Sequence, residues 1–161
     1  MHKSTRDMLI SQYKDGYQVI MEALDGISSS EMDAREAEGE WSPREVIHHL
    51  ADSEMNSAIR LRRLIAEEQP QITGYDQDLY AEMLYYDRPV DPSLAVFNAV
   101  RQSTADILER LTEDQWARHG THSEHGSYSV LDWLQIYSAH AHEHAEQITR
   151  ARAVVADPGE D

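Results

Sequence analysis

Three histidines fall within five residues near the C-terminal end of the chain, at His140, His142 and His144 in the segment YSAHAHEHAEQI. Wound as a helix at about 100° per residue, His140 and His144 share a stripe with Val130, Trp133, Tyr137, Ala141 and Ile148. His142 turns to the opposite, solvent-facing side. Imidazoles at i and i+4 meet on one helix face, about 6 Å apart along the axis, and two ring nitrogens can then converge on one metal ion. Such a pair also arises by chance on a surface, and a histidine-rich patch collects metal adventitiously. Two imidazoles inside an apolar stripe are a stronger signal, because a buried polar group without a partner costs free energy. A metal ion supplies that partner directly.

A third candidate donor lies on an earlier helix. In WSPRE, Ser42 is placed as N-cap, Pro43 as first helical residue and Glu45 as third, a capping box that starts a helix running to about Glu67. Val46, Ile47, Leu50, Ser57, Leu61, Leu64 and Ile65 form its core face. Beside that face runs a polar stripe of His49, Ser53, Asn56 and Arg60, while His48 points away from both. The stripe is either a solvated edge or the polar wall of a pocket inside a bundle. Read as a wall, it gives a substrate Ser53, Asn56 and Arg60. Arg60 would hold a carboxylate and Asn56 would donate or accept a hydrogen bond. Glu54 and Arg60 are the candidate catalytic groups, although Glu54 sits at the core edge, apart from His49.

The remaining elements must bring these helices together. Residues 4–27 read as a first amphipathic helix, with Leu9, Tyr13, Tyr17, Ile20, Leu24 and Ile27 as its stripe. Residues 28–40 are a polar, acidic connection. Residues 68–91 form a long crossover between helices two and three; Tyr75 to Leu84 reads as a short helix, and its tyrosines suggest a segment packed over something. Asp91-Pro92 is read as N-cap and first residue of a third helix, which runs to about Leu111 with Phe97, Val100, Ile107 and Leu108 on its core face. Thr112 to Trp116 reads as a capped turn, and 117–128 as a loop carrying His119, His122 and His125. A fourth helix starts at the Ser129/Asp132 capping box and ends near Val155. No convincing strand is seen. The expected fold is all-α: a four-helix bundle over 1–156 as one domain, with 157–161 as a frayed acidic tail. In such a bundle His49 joins His140 and His144 if helices two and four are neighbours.

Composition narrows the function classes. The 161 residues include 14 Lys and Arg against 30 Asp and Glu, a formal charge of −16. That surface repels a phosphate backbone, so no nucleic-acid partner is expected. No apolar run suits a membrane span and no signal-type apolar region opens the chain, so a cytoplasmic location is expected. There is no cysteine. Any metal must therefore be held by His, Asp or Glu, and any thiol must arrive with a substrate.

WSPREVIHHLADSE, followed some ninety residues later by H-x-x-x-H-A-E-Q-I, resembles the DinB-like superfamily. HLADSEMNSAIRLRRLIAEEQPQITGYDQ, the HSEHG loop and HAHEHAEQIT are similar to its YfiT-like branch of metal-dependent hydrolases and bacillithiol transferases. The resemblance spans about residues 6–152. It implies an up-down-down-up bundle, often a homodimer, and one divalent ion, zinc or nickel, held by His49, His140 and His144. The family often has a histidine directly before its last one; here that position is Glu143. The activity expected is transfer of a low-molecular-weight thiol co-substrate to an electrophilic small molecule. Two alternatives are hydrolysis by metal-activated water, and a non-catalytic metal-binding or small-ligand-binding stress protein.

Overall fold

A computed structural model describes residues 1–156; the acidic tail expected at 157–161 lies outside them. Four long helices form the body: α1 (Lys3–Ala23), α3 (Pro43–Ala66), α5 (Asp91–Leu108) and α7 (Val130–Ala156). Three short helices join them: α2 (Ser29–Met32), α4 (Gln77–Met83) and α6 (Glu113–Trp116). The molecule is a four-helix bundle in which α1 packs on α5 and α7, and α3 packs on the same two.

Cross-links between the helices fix their directions. His49 faces His140, and Trp133 Nε1 donates to the Ser57 carbonyl at 2.8 Å, so α3 and α7 run antiparallel. His48 meets Ser93 and Glu54 meets Arg101, so α3 and α5 run parallel. The parallel pair requires the long crossover. It holds β1 (Gln71–Ile72) and α4, which Asp76 caps by accepting from the Asp78 and Leu79 N–H groups.

The helix starts follow the sequence closely. Ser42 and Glu45 form a reciprocal capping box with proline in the first turn of α3. Ser129 and Asp132 form another at α7, and Thr112 with Gln115 a third at α6. Several boundaries differ from expectation, among them the end of α5 at Leu108 rather than near Leu111 and the shorter span of α4. Val90, already in the right-handed helical region, is the N-cap of α5, which moves Asp91 and Pro92 into the first turn. The first helix ends at Ala23, short of Ile27, and the chain turns at Gly26 with φ of +63°. The acidic connection after it contains α2, with its own Ser28/Glu31 capping box.

The main correction to the expected elements is a small sheet. The segment read as a loop is a hairpin of β2 (His119–His122) and β3 (Gly126–Ser129), and β1 adds to β2 in parallel. Gly126, at φ of +71°, makes the turn. Ile72, His122 and Tyr128 point inward from it. Ile72 and Tyr128 join Leu61, Leu64, Trp116 and Trp133 in the core.

A buried ion pair crosses the middle of the bundle. Arg101 on α5 donates to Glu54 on α3 at 2.5 Å, to the Tyr13 carbonyl on α1 at 2.6 Å and to the Tyr137 carbonyl on α7 at 2.9 Å. Tyr13 donates its hydroxyl to the other Glu54 oxygen. One guanidinium thus ties all four long helices together. Its place is kept open by Gly16, where a Cβ would come within 2.6 Å of the Arg101 guanidinium.

Candidate metal centre

The antiparallel register of α3 and α7 brings three imidazoles to one point. His49 Nε2 lies 3.3 Å from His140 Nε2, and His144 Nε2 lies 3.2 Å from the same atom. One ring nitrogen from each of the three lies within 4.8 Å of the others. Nitrogen donors at about 2.0–2.1 Å from a tetrahedral ion sit about 3.3–3.4 Å from one another. Both Nε2 spacings therefore suit donors around a common ion.

The protonation states also suit one. Burial, and then the neighbouring His144, push the His49 imidazole from its ordinary 6.5 down to about 3. Burial pushes His140 well below its ordinary value, helped by His144, His49 and Arg101. His144 is lowered by burial against the pull of Gln147 and Glu143. All three are therefore neutral near pH 7, the form that offers a lone pair. His144 donates Nδ1–H to the Gln147 side-chain oxygen at 2.8 Å, one turn on, which aims its Nε2 lone pair at the cluster. His49 Nδ1 and His140 Nδ1 are buried without such a partner. Trp41, directly before the α3 cap, packs its ring 4.6 Å from that of His49.

The depressed pKa values fix a sign for stability in the metal-free protein. A neutral buried histidine contributes stability that is fully present above about pH 6.5, where the unfolded state is also neutral. That stability is lost as pH falls toward the folded-state value, about 3 for His49. The urea midpoint of metal-free protein is expected to fall clearly between pH 8 and pH 5. An unchanged or higher midpoint at pH 5 would contradict the burial of neutral imidazoles.

The other expected site residues are distributed around this centre. Ser53 is buried one turn after His49. Arg60 donates to the Tyr137 hydroxyl at 3.3 Å and to the Thr73 carbonyl at 3.0 Å. Asn56 donates to the Asp52 carbonyl of its own helix at 2.8 Å. Both oxygens of Glu54 are engaged by Tyr13 and Arg101 in the core, and neither is hydrogen-bonded to the imidazole trio. Burial raises its carboxyl above the usual range, against the pull of Arg101.

Two histidines sit differently from their helical-wheel positions. His142, expected in solvent, is half-buried, with Nε2 3.1 Å from the Gln12 carbonyl on α1. His48 is fully buried between Ser93 Oγ at 2.8 Å and the Arg88 carbonyl at 3.0 Å. Glu143 is exposed. A second cluster, His122, Glu124 and His125, lies on the hairpin turn, where His122 Nδ1 already accepts from the Glu124 N–H at 3.1 Å.

Gln147 on His144, and Tyr137 and Tyr75 on Arg60, are contacts of the candidate site that the sequence reading does not single out. Tyr137 was legible from its place three residues before His140 on the same stripe. Tyr75 comes from the crossover, where no periodicity says which helix a side chain will cover.

The chain matches the model of the DinB superfamily over residues 12–148. It is 34% identical over 140 residues to an inferred metal-dependent hydrolase of Oceanobacillus iheyensis, covering 87% of this chain and 81% of that protein. It is 32% identical over 150 residues to YfiT of Bacillus subtilis, itself named as an inferred metal-dependent hydrolase, covering 91% and 84%. The solved YfiT structure, described as an unusual four-helix bundle, superposes with a TM-score of 0.90 over 97% of this chain and 90% of that one. A mycothiol-dependent maleylpyruvate isomerase, 16% identical, shares the fold at a TM-score of 0.67 over 89% of this chain and 60% of that one.

Proposed function

The chain belongs to the DinB superfamily and is YfiT-like, and from that premise we propose that it is an enzyme whose His49, His140 and His144 hold one divalent ion, zinc or nickel. The observation that carries this reading is the convergence of three neutral imidazoles, with the Nε2 atoms of His49 and His144 at 3.3 and 3.2 Å from His140 Nε2 and all three donors within 4.8 Å of one another. Imidazole donors suit zinc and nickel alike. A divalent ion so held supplies Lewis acidity, making water or a thiol nucleophilic near neutral pH and polarising an acceptor.

The chain's own residues supply the rest. Three protein donors leave coordination positions open. His140 and His144 are less buried than His49, which packs against Trp41, so the route proposed for small molecules is from the α7 side. Ser53 and Arg60 orient the substrate beside the trio. Asn56, turned back on its own helix, has a minor part. Glu54, held by Arg101, works through the fold.

The names of the relatives favour hydrolysis of a small-molecule substrate as the first reading. Transfer of a low-molecular-weight thiol to an electrophile is the second, supported by the likeness of the HSEHG and HAHEHAEQIT segments to the YfiT-like branch. A homodimer belongs to the same reading. It is supported by the exposed apolar side chains Met55 and Ile59 on α3, Leu79 and Met83 on α4, and Leu84 and Tyr85 just after it.

The test uses protein purified without a nickel column and reconstituted with zinc or nickel. It is offered an ester and amide panel alone, and separately a thiol with a bimane electrophile. Acceleration that disappears on chelation is expected in one arm. Acceleration without thiol selects the hydrolase, and acceleration only with thiol selects the transferase. Full activity after chelation, or none in either arm, would overturn the enzymatic reading and leave a binding protein.

A further inference from the structure

The two helices that carry the trio each present a hydroxyl one turn away from it. Ser53 follows His49 by four residues, and Tyr137 precedes His140 by three. Because α3 and α7 are antiparallel, both hydroxyls fall on the same side of the imidazoles. The crossover adds Tyr75, whose ring lies under the Arg60 guanidinium. Arg60 closes the group: it donates to Tyr137 and lies over the Tyr75 ring at 5.6 Å.

The charge balance of this layer is unusual for the molecule. Acidic residues outnumber basic ones 30 to 14, yet Arg60 makes no ion pair among the described residues. Its partners are a phenol and a backbone carbonyl, both neutral. A guanidinium has five N–H donors in a planar fork that matches a carboxylate. Burial pushes the Tyr75 hydroxyl up to about 12, so that phenol is protonated. Arg60 and the three hydroxyls can each donate a proton, while the carboxylates of Asp52 and Glu54, which flank Ser53 on α3, are engaged by Tyr86 and by Tyr13 with Arg101. The surrounding negative surface repels anions in general, so a guanidinium joined to the His140 ring through Tyr137 selects for them locally.

We propose that Arg60, with the hydroxyls of Tyr137, Tyr75 and Ser53, is the binding site for a carboxylate on the substrate, so that the molecules processed at the trio are small carboxylic acids. This rests on the reading of the trio as a metal centre and adds the substrate class. Arg60 is the specificity-determining residue, and Tyr137 links it to the His140 helix. One end of the substrate is held by the guanidinium and phenols while its reactive centre lies at the imidazoles.

The experiment titrates cobalt(II)-loaded protein with 4-mercaptobutyrate and with 4-mercaptobutanol, following the cobalt absorption bands. The two probes share a thiol and a chain length and differ in the carboxylate. The acid is expected to bind about tenfold or more tightly than the alcohol, as a charge-assisted pair requires. Arg60→Gln is expected to remove most of that preference, the acid losing affinity by a clearly larger factor than the alcohol. Tyr137→Phe is expected to reduce it by a smaller factor. Equal binding of the two probes to the native protein, or a preference untouched by Arg60→Gln, would overturn the carboxylate site while leaving the metal centre standing. Failure to bind cobalt at all would instead overturn the metal centre, and this site with it.

Discussion

Alanine at His140 is expected to abolish stoichiometric binding of a divalent ion. His140 Nε2 is the atom that both other Nε2 atoms approach, at 3.3 and 3.2 Å. Loss of a supporting residue around a metal typically weakens binding about 10–100-fold, so loss of a donor should cost more than that. Equilibrium dialysis with elemental analysis should give close to one ion per chain for the native protein and little for His140→Ala. His49→Ala should behave alike. His142→Ala is the internal control, since its imidazole is turned toward the Gln12 carbonyl on α1. It should keep the ion and lose only about 1 kcal/mol of stability, the usual worth of one hydrogen bond. Equal loss of metal in all three variants would mean that the segment binds metal as a patch. Saturating metal should also raise the melting temperature of the native protein and not that of His140→Ala, because a ligand stabilises only the state that binds it.

The second large effect is expected in the core. Glu54 and Arg101 are 1% and 2% exposed and paired at 2.5 Å. Removing one member of such a pair leaves an uncompensated buried charge and typically costs about 3–5 kcal/mol, whereas replacing both with apolar groups of similar volume is often tolerated. Glu54→Gln or Arg101→Met should therefore lower the urea-unfolding free energy by about that amount. The double variant Glu54→Leu/Arg101→Met should recover much of it. Gly16→Ala should weaken the same brace from outside, since the new methyl would occupy the guanidinium's place. These measurements also decide what Glu54 is for. A Glu54→Gln protein of native stability that had lost only its activity would make the carboxylate a catalytic base and remove its role as a brace.

Much of the site was legible because it rests on helical periodicity. His140 and His144 lie one turn apart on an apolar stripe, and His49 lies on a stripe beside another core face, so two wheels and one assumption about neighbours select the trio. The capping boxes at Ser42 and Ser129 fixed where both helices start and hence the phase of each wheel. The sheet was not legible. β1 has two residues and β2 and β3 four each, too short for alternation to stand out from a loop. His48 and His142 show the limit of a wheel. It gives direction from one axis, and which neighbour lies in that direction depends on bundle topology. Arg101 did leave a signal, a lone cation between Phe97 and Leu108 at core spacing. Its partner, Glu54, is 47 positions away and is reached only through the fold.

The central claim is that three imidazole nitrogens from α3 and α7 hold one ion. Anomalous diffraction from a crystal of metal-loaded protein, collected at the absorption edge of that metal, tests it most directly. The account predicts a single strong peak between the two helices, at about 2.0–2.1 Å from His49 Nε2, His140 Nε2 and His144 Nε2. A peak at the His122, Glu124 and His125 turn instead, or no peak within bonding distance of the trio at full metal loading, would contradict it.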